Sequence, residues 1–366
     1  MNVLMQNRKD SFHNWGGDTT QMMETKSHLE KLGVNIEVDL STNPNLDKYD
    51  LVHIFNIQHP KYGIKQLENA KKNDKPVVVS TIYWDLSYAH NSKENHLYSN
   101  IKIVRTVAKL NLNIPHIGFK VLYLKKRIEE KKITKIMLSE ADMILPNSYA
   151  ELEIIINKFK LPQIREKSLI VPNGISKSKL EEFHLSSKLK TFEFPDEYVL
   201  EVGHVGTWKG QLKLIESLLD YPEIPLVFVG RGLDGPYGKK CIKLGEKRGN
   251  TFFTGKIPHD EVYAHYKKAK IHALPSLRES PGLSTLEAAA FGANCVVSIH
   301  GPINEYFGFD AFYCEPLNVD SIQNAVLKAW KSPKNNKLKK RVLNHFTWDN
   351  AAEITLQAYN QLLNNL

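Results

Sequence analysis

Short runs of Val, Ile, Leu and Phe alternate with longer amphipathic runs along almost the whole chain, and that alternation admits few architectures. Parallel strands need crossovers of a dozen residues or more, and a helix after each strand supplies them while covering the sheet. In the first half the strand runs are 3–6, 35–38, 51–55, 76–81 and 143–146. A second series comprises 168–171, 198–202, 226–229, 251–253, 271–274 and 294–297. The helical run 20–32 stops at Gly33, the residue type that closes helices in the left-handed conformation. Two successive series in 366 residues imply two domains of about 150–200 residues each, because one core rarely grows larger. The Lys- and Ser-rich stretch 176–196 contains a linker, and 84–118 has no clear period, which marks a functional or mobile loop.

Composition narrows the class. With 42% hydrophobic and 24% charged residues, the chain is of the soluble globular kind. No stretch approaches the ~18 apolar residues of a membrane span, and residues 1–7 read as a strand rather than a signal peptide. Cys241, Cys295 and Cys314 are odd in number and lack metal-ligand spacing, so a reducing, cytoplasmic compartment is expected. The net charge of +9 admits nucleic acid, an anionic membrane or anionic substrates as partners. No zinc-finger spacing or RNA-binding signature accompanies it, so specific nucleic-acid readout is not expected. Much of the excess lies in 121–135, with six basic and two acidic side chains. Val121, Leu124 and Ile128 line one face of that helix, which leaves two readings open: a core-facing helix with a solvated basic side, or peripheral contact with an anionic membrane.

The segment 276–287, Ser-Leu-Arg-Glu-Ser-Pro-Gly-Leu-Ser-Thr-Leu-Glu, joins a strand, a Pro281-Gly282 break and a helical run, 283–291. Such a helix start presents free backbone N–H groups and the positive dipole end to an anion. Glu279 falls in the loop at its mouth and Glu287 in the second helical turn, leaning back toward the N-terminus. Two acceptors flanking an anion cradle suit a ligand that is part phosphate and part polyhydroxyl. Acidic residues also favour helix starts for the dipole alone, so the spacing by itself leaves both readings open.

The wider context is more specific. Val229-Gly230, Phe253-Thr254-Gly255, Pro275-Ser276, Glu279 through Glu287, the run Ala288-Ala289-Ala290-Phe291-Gly292 and Glu305 follow one another in an order that resembles the carboxyl-terminal half of retaining glycosyltransferases of family four. The resemblance implies the GT-B fold, an α/β architecture of two Rossmann-like domains facing a cleft. It implies an acceptor domain over 1–173, a nucleotide-sugar domain over 174–345, and a last helix in 346–366 that crosses back to the first domain. It also implies a nucleotide-diphosphate sugar as donor, Glu287 on the ribose hydroxyls and Glu279 on the transferred sugar. Amides at Gly282, Leu283 and Ser284 would meet the diphosphate together with Lys209.

Other stretches bear on this. Family members carry Gly-Arg and then Lys-Gly where this chain has Gly203-His204 and Lys209-Gly210, so one fixed charge is lost or made pH-dependent. Arg231 or Arg278 would have to replace it. Gly16-Gly17, after the first strand, sits where the family has glycines against the ligand, although an ordinary loop turn has the same look. The family's sugar-contacting His has no clear counterpart; Asp85 and His90 are the candidates, with Tyr83 and Trp84 stacking on sugar or simply packing. Asn147-Ser148 and Pro172-Asn173-Gly174 are turn chemistry, and Thr347 caps the last helix. No Asp-x-Asp pair or His/Cys cluster is present, so no metal cofactor is expected. The implied activity is a retaining, metal-independent glycosyl transfer to a glycan or lipid-linked acceptor, in polysaccharide or lipopolysaccharide synthesis. A GT-B protein that binds sugar nucleotide without transferring it, or a nucleic-acid glucosyltransferase, are the alternatives.

Overall fold

The computed structural model describes residues 1–84, 116–185, 194–334 and 336–364, with backbone alone for 116–124 and 184–185. The chain forms two compact units: Met1–Pro172 with Ala351–Leu366, and Asn173–Asn350.

The first unit carries a five-stranded sheet of β1 (Asn2–Gln6), β2 (Asn35–Val38), β3 (Leu51–Phe55), β4 (Val77–Ser80) and β5 (Met143–Leu145). Every pairing is parallel and the spatial order is β2-β1-β3-β4-β5. β3 and β4 are buried along their whole length, as strands covered on both faces must be. On one face Val52, Ile54, Val77 and Val79 meet Leu67, Met137 and Ile155 from the covering helices. The helix Gly17–Lys31 starts three residues before the sequence expectation and ends at Gly33, whose φ is +84°.

The second unit carries β6 (Val199–Val202), β7 (Leu226–Val229), β8 (Thr251–Gly255), β9 (Ile271–Leu274), β10 (Asn294–Ser298) and β11 (Phe312–Cys314). All pairings are again parallel, in the order β11-β10-β9-β6-β7-β8. Counted from its own first strand this is 6-5-4-1-2-3, the doubly wound order in which ligands sit where the winding reverses. The reversal lies between β6 and β9. Leu200, Val227 and Val229 face Tyr266, Leu286 and Phe291 on one side. Val199, Leu226, Phe228 and Ala273 face Leu214, Ile215 and Ile322 on the other.

Two expectations change. The run 168–171 does not begin the second sheet: Leu169 and Val171 donate to the carbonyls of Ile144 and Pro146, so it lies beside β5 in the first unit. β11 was not expected, because three residues at a sheet edge give too short a period to read. In the helix Gln211–Ser217, Leu214 and Ile215 face the core with Leu218 just beyond it, Leu212 is partly buried against the same cluster, and Leu219 is exposed.

The last helix, Trp348–Asn364, begins with Thr347 Oγ1 accepting from Asn350 N at 3.2 Å. Its buried Tyr359 hydroxyl is 2.6 Å from His53 Nδ1 on β3, and His53 Nε2 is 2.9 Å from Ser80 Oγ on β4. Burial pushes the His53 imidazole down to about 3, so this three-residue link runs through a neutral ring.

Candidate active site

Two loops leave the sheet at the β6/β9 reversal, 203–210 and 275–282, and glycines let them touch. Gly210 has φ +88°, and a Cβ there would stand 2.4 Å from the Pro275 carbonyl oxygen. Ser276 Oγ and Leu277 N both donate to the Trp208 carbonyl at 2.8 Å, which stitches the loops together. The outcome is an ion pair between Lys209 Nζ and Glu279 Oε1 at 2.5 Å, with Glu279 nearly buried. Sequence reasoning gave these residues separate partners; the structure brings them together.

Gly282, at φ +94°, ends the loop and caps the helix Leu283–Ala290. A Cβ on Gly282 would lie 3.5 Å from Glu279 Oε2, so that carboxylate stands directly over the helix start. The Gly282 carbonyl accepts from Thr285 and Leu286, while the first amides of a helix have no intrahelical acceptor. Gly282, Leu283, Ser284, Glu279 and Lys209 therefore share one small region.

Glu287 lies one turn further on. Its Oε2 accepts from the buried Tyr266 hydroxyl at 3.0 Å, and its Oε1 is 3.2 Å from His259 Nε2. Burial pushes the Tyr266 phenol far up, so it stays a donor. His259 is largely exposed and edge-on to Tyr263 at 4.7 Å. Neither Tyr266 nor His259 belongs to a short motif, and sequence reasoning missed both.

Two buried groups beneath the loops were also missed. His272 on β9 is fully buried with neither ring nitrogen hydrogen-bonded, and burial pushes it down to about 3. Glu201 on β6 is 2% exposed with both carboxyl oxygens unpartnered. A Glu inside the apolar strand Val-Leu-Glu-Val was the available signal.

His204 supplies no fixed charge. It reaches solvent, but partial burial and then the Arg231 and Lys209 cations hold its imidazole below the ordinary range. Its ring packs so closely over Gly232 that a Cβ there would meet His204 Cε1 at 2.7 Å. Arg278 lies over the Trp208 ring at 4.4 Å, which places a cation beside Glu279.

In the first unit, Gly16 precedes the helix Gly17–Lys31 in extended conformation, and a Cβ on it would stand 2.9 Å from Asp18 Oδ1. Gly16 thus makes room for the pair Arg8–Asp18, at 2.8 Å, while a Cβ on Gly17 would meet nothing within 4 Å. Burial would push the Asp18 carboxyl up, but hydrogen bonds from Arg8 and Asn56 outweigh it and hold the group below its usual range. Tyr83 is a packing residue: it is buried, edge-on to Phe159 at 5.7 Å. Asp85 and His90 lie outside the described residues. Ser148 caps the helix Tyr149–Phe159, and Gly174 passes so close to Thr347 that a Cβ would meet its backbone at 2.3 Å; both are structural.

Among the described residues, no group of three or more His, Cys, Asp or Glu side chains could hold a metal ion. No helix among them is long and apolar enough to cross a membrane.

Residues 186–344 match the family described as glycosyl transferases group 1. An uncharacterized glycosyltransferase of Methanocaldococcus jannaschii is 24% identical over 347 residues, 89% of this chain and 88% of that relative. A serotype-specific mannosyltransferase of Escherichia coli is 26% identical over 194 residues, 49% of this chain but only 24% of that longer protein. Among solved structures, sucrose-phosphate synthase from Thermosynechococcus elongatus superposes with a TM-score of 0.72 at 15% identity, covering 100% of both chains. An Anabaena protein, HepE, solved with UDP-glucose, gives 0.61 at 16% identity over 100% of this chain and 99% of its own. The chain has the α/β architecture of the GT-B fold, and the match over residues 186–344 together with these relatives supports a glycosyltransferase of family four.

Proposed function

We propose that the chain transfers a sugar from a nucleotide-diphosphate donor with retention of configuration and without a metal ion. The observation that carries this reading is the meeting of Lys209, Glu279 and the Gly282 helix start at the β6/β9 reversal. An ammonium and preorganised amides favour the negative charge that develops on a departing diphosphate. Lys209 exchanges Glu279 for the diphosphate as the donor arrives, and the released Glu279 carboxylate accepts from hydroxyls of the transferred sugar. Glu287, backed by Tyr266, accepts from the ribose hydroxyls. The leaving phosphate takes the acceptor proton on the same face, so Glu279 positions the sugar and acts as neither base nor nucleophile. Asp85 remains the proposed polar group beside the sugar, and Gly16 and Gly17 shape the acceptor side.

The acceptor proposed is a glycan or lipid-linked intermediate of polysaccharide or lipopolysaccharide synthesis, reached from the cytoplasmic face of an anionic membrane. The helix His116–Glu140 supports this through its exposed Lys125, Lys126, Arg127, Lys131, Lys132 and Lys135, with Ile128 and Ile136 exposed among them. The exposure of Ile128 argues against a core-facing role for that residue. A second reading, sugar-nucleotide binding without transfer, draws on the neutral His204 where the family has a fixed cation. Free-nucleotide release measured over a panel of nucleotide sugars separates the two: turnover supports the transferase, and tight binding without turnover supports the binding protein.

A further inference from the structure

His259 has no role in the transfer just described, yet it stands against one of the two oxygens of Glu287. It opens the helix His259–Lys268, and Tyr263 and Tyr266 follow four and seven positions later, so the three rings share one helical face. Tyr263 is buried and packs edge-on to the imidazole at 4.7 Å, which orients an otherwise largely exposed ring. His259 Nε2 is 3.2 Å from Glu287 Oε1, while the buried Tyr266 hydroxyl donates to Oε2 at 3.0 Å. A carboxylate only accepts, so the ring nitrogen that faces it carries the hydrogen. Each carboxylate oxygen offers about two lone-pair sites. One on each oxygen is therefore taken and one on each is left, which matches the two neighbouring hydroxyls of a ribose.

We propose that His259 is a positioning residue for Glu287: it holds Oε1 while Tyr266 holds Oε2, which sets the carboxylate plane so that both ribose hydroxyls of the donor are read together. The inference rests on Glu287 meeting the ribose. With Tyr266 alone the carboxylate could turn about a single hydrogen bond. A second donor from the same helical face removes that freedom before the ligand arrives, and orientation fixed in advance is affinity that binding does not have to spend on ordering. The Glu287 side chain is itself only partly exposed, so water competes weakly for these two contacts.

The test is calorimetric affinity of the full chain for ADP, GDP, CDP and UDP and for their 2′-deoxy counterparts. In the wild type at least one ribonucleotide is expected to bind about tenfold or more tighter than its deoxy form, the scale of one hydrogen bond to a charged group. His259→Phe keeps a ring against Tyr263 but has no hydrogen to donate, and its ratio should fall to about threefold or less. His259→Gln can still donate and should keep a ratio within about twofold of the wild type. A wild-type ratio in His259→Phe overturns the inference, and so does an equal loss in the two variants, which would assign the effect to packing. Glu287→Ala with wild-type affinity and ratio overturns the ribose reading instead, so the two failures are distinguishable. Both His259 variants should melt at the wild-type Tm, because the side chain is largely exposed, and the melting curve checks that a lost ratio is not lost folding.

Discussion

Replacing Gly210 by Ala tests how the site is assembled, because two costs fall on that residue and a second glycine separates them. Gly210 has φ +88°, and a left-handed conformation costs an alanine about 1–2 kcal/mol. The added Cβ would also stand 2.4 Å from the Pro275 carbonyl oxygen. That neighbour is backbone, so the loops 203–210 and 275–282 must part, and overpacking of this kind costs about 1–3 kcal/mol. Gly33, just past the helix Gly17–Lys31, has φ +84° with nothing within 4 Å of a Cβ, so Gly33→Ala bears the conformational cost alone. Together the costs at Gly210 come to about 2–5 kcal/mol, or roughly 4–20 °C in Tm, against about 2–8 °C for Gly33→Ala. Differential scanning fluorimetry reads both. Parting the loops also moves Lys209 from Glu279 and the helix start, so donor affinity should fall about tenfold or more in Gly210→Ala and be unchanged in Gly33→Ala. Equal loss of Tm and of affinity in the two variants would refute close loop contact as the basis of the site.

Further outcomes follow from other residues. Glu279→Ala should lower kcat more than donor affinity, because its proposed partner is the moving sugar; single-turnover and binding assays that show the reverse would exchange its role with that of Glu287. Burial lowers His53 and His272 to about 3 and His265 to about 4, below the unfolded value, so they support stability above about pH 6.5 and lose that support as pH falls toward those values. Tm should therefore drop between about pH 6.5 and pH 4, and less steeply in His272→Gln; equal slopes would remove His272 from the explanation. Vesicle sedimentation should show salt-sensitive binding to anionic but not neutral lipid, at about 1 kcal/mol per basic residue, weakened when Lys125, Lys126 and Arg127 become Glu. Unchanged binding in that variant would move membrane contact away from this helix.

The sheets were legible in the sequence because buried parallel strands are short, continuous and apolar: β1 to β5 lie within a residue or so of the expected runs. β11 escaped, being three residues long, and 168–171 joined the first unit because backbone pairing with 144–146 leaves no trace in composition. Loop glycines and the 279–287 spacing marked the site, since only glycine tolerates the approach at Gly210 and the conformation at Gly282. What stayed hidden was relational. The Lys209–Glu279 pair spans seventy positions, and Tyr266 and His259 reach Glu287 from a helix with no motif of its own. Glu201 showed only as a charge in an apolar strand.

The most direct measurement is calorimetric titration of a panel of nucleotide-diphosphate sugars, in excess chelator, into the wild-type chain and Glu287→Ala. Metal-independent binding of at least one donor is predicted, with free nucleotide released when acceptor is present. Affinity should fall about ten- to a hundredfold in Glu287→Ala, as loss of a charged acceptor costs about 1.5–3 kcal/mol. Binding that needs added magnesium or manganese, or equal affinity in the two proteins, would contradict a metal-free donor site built on the Gly282 helix.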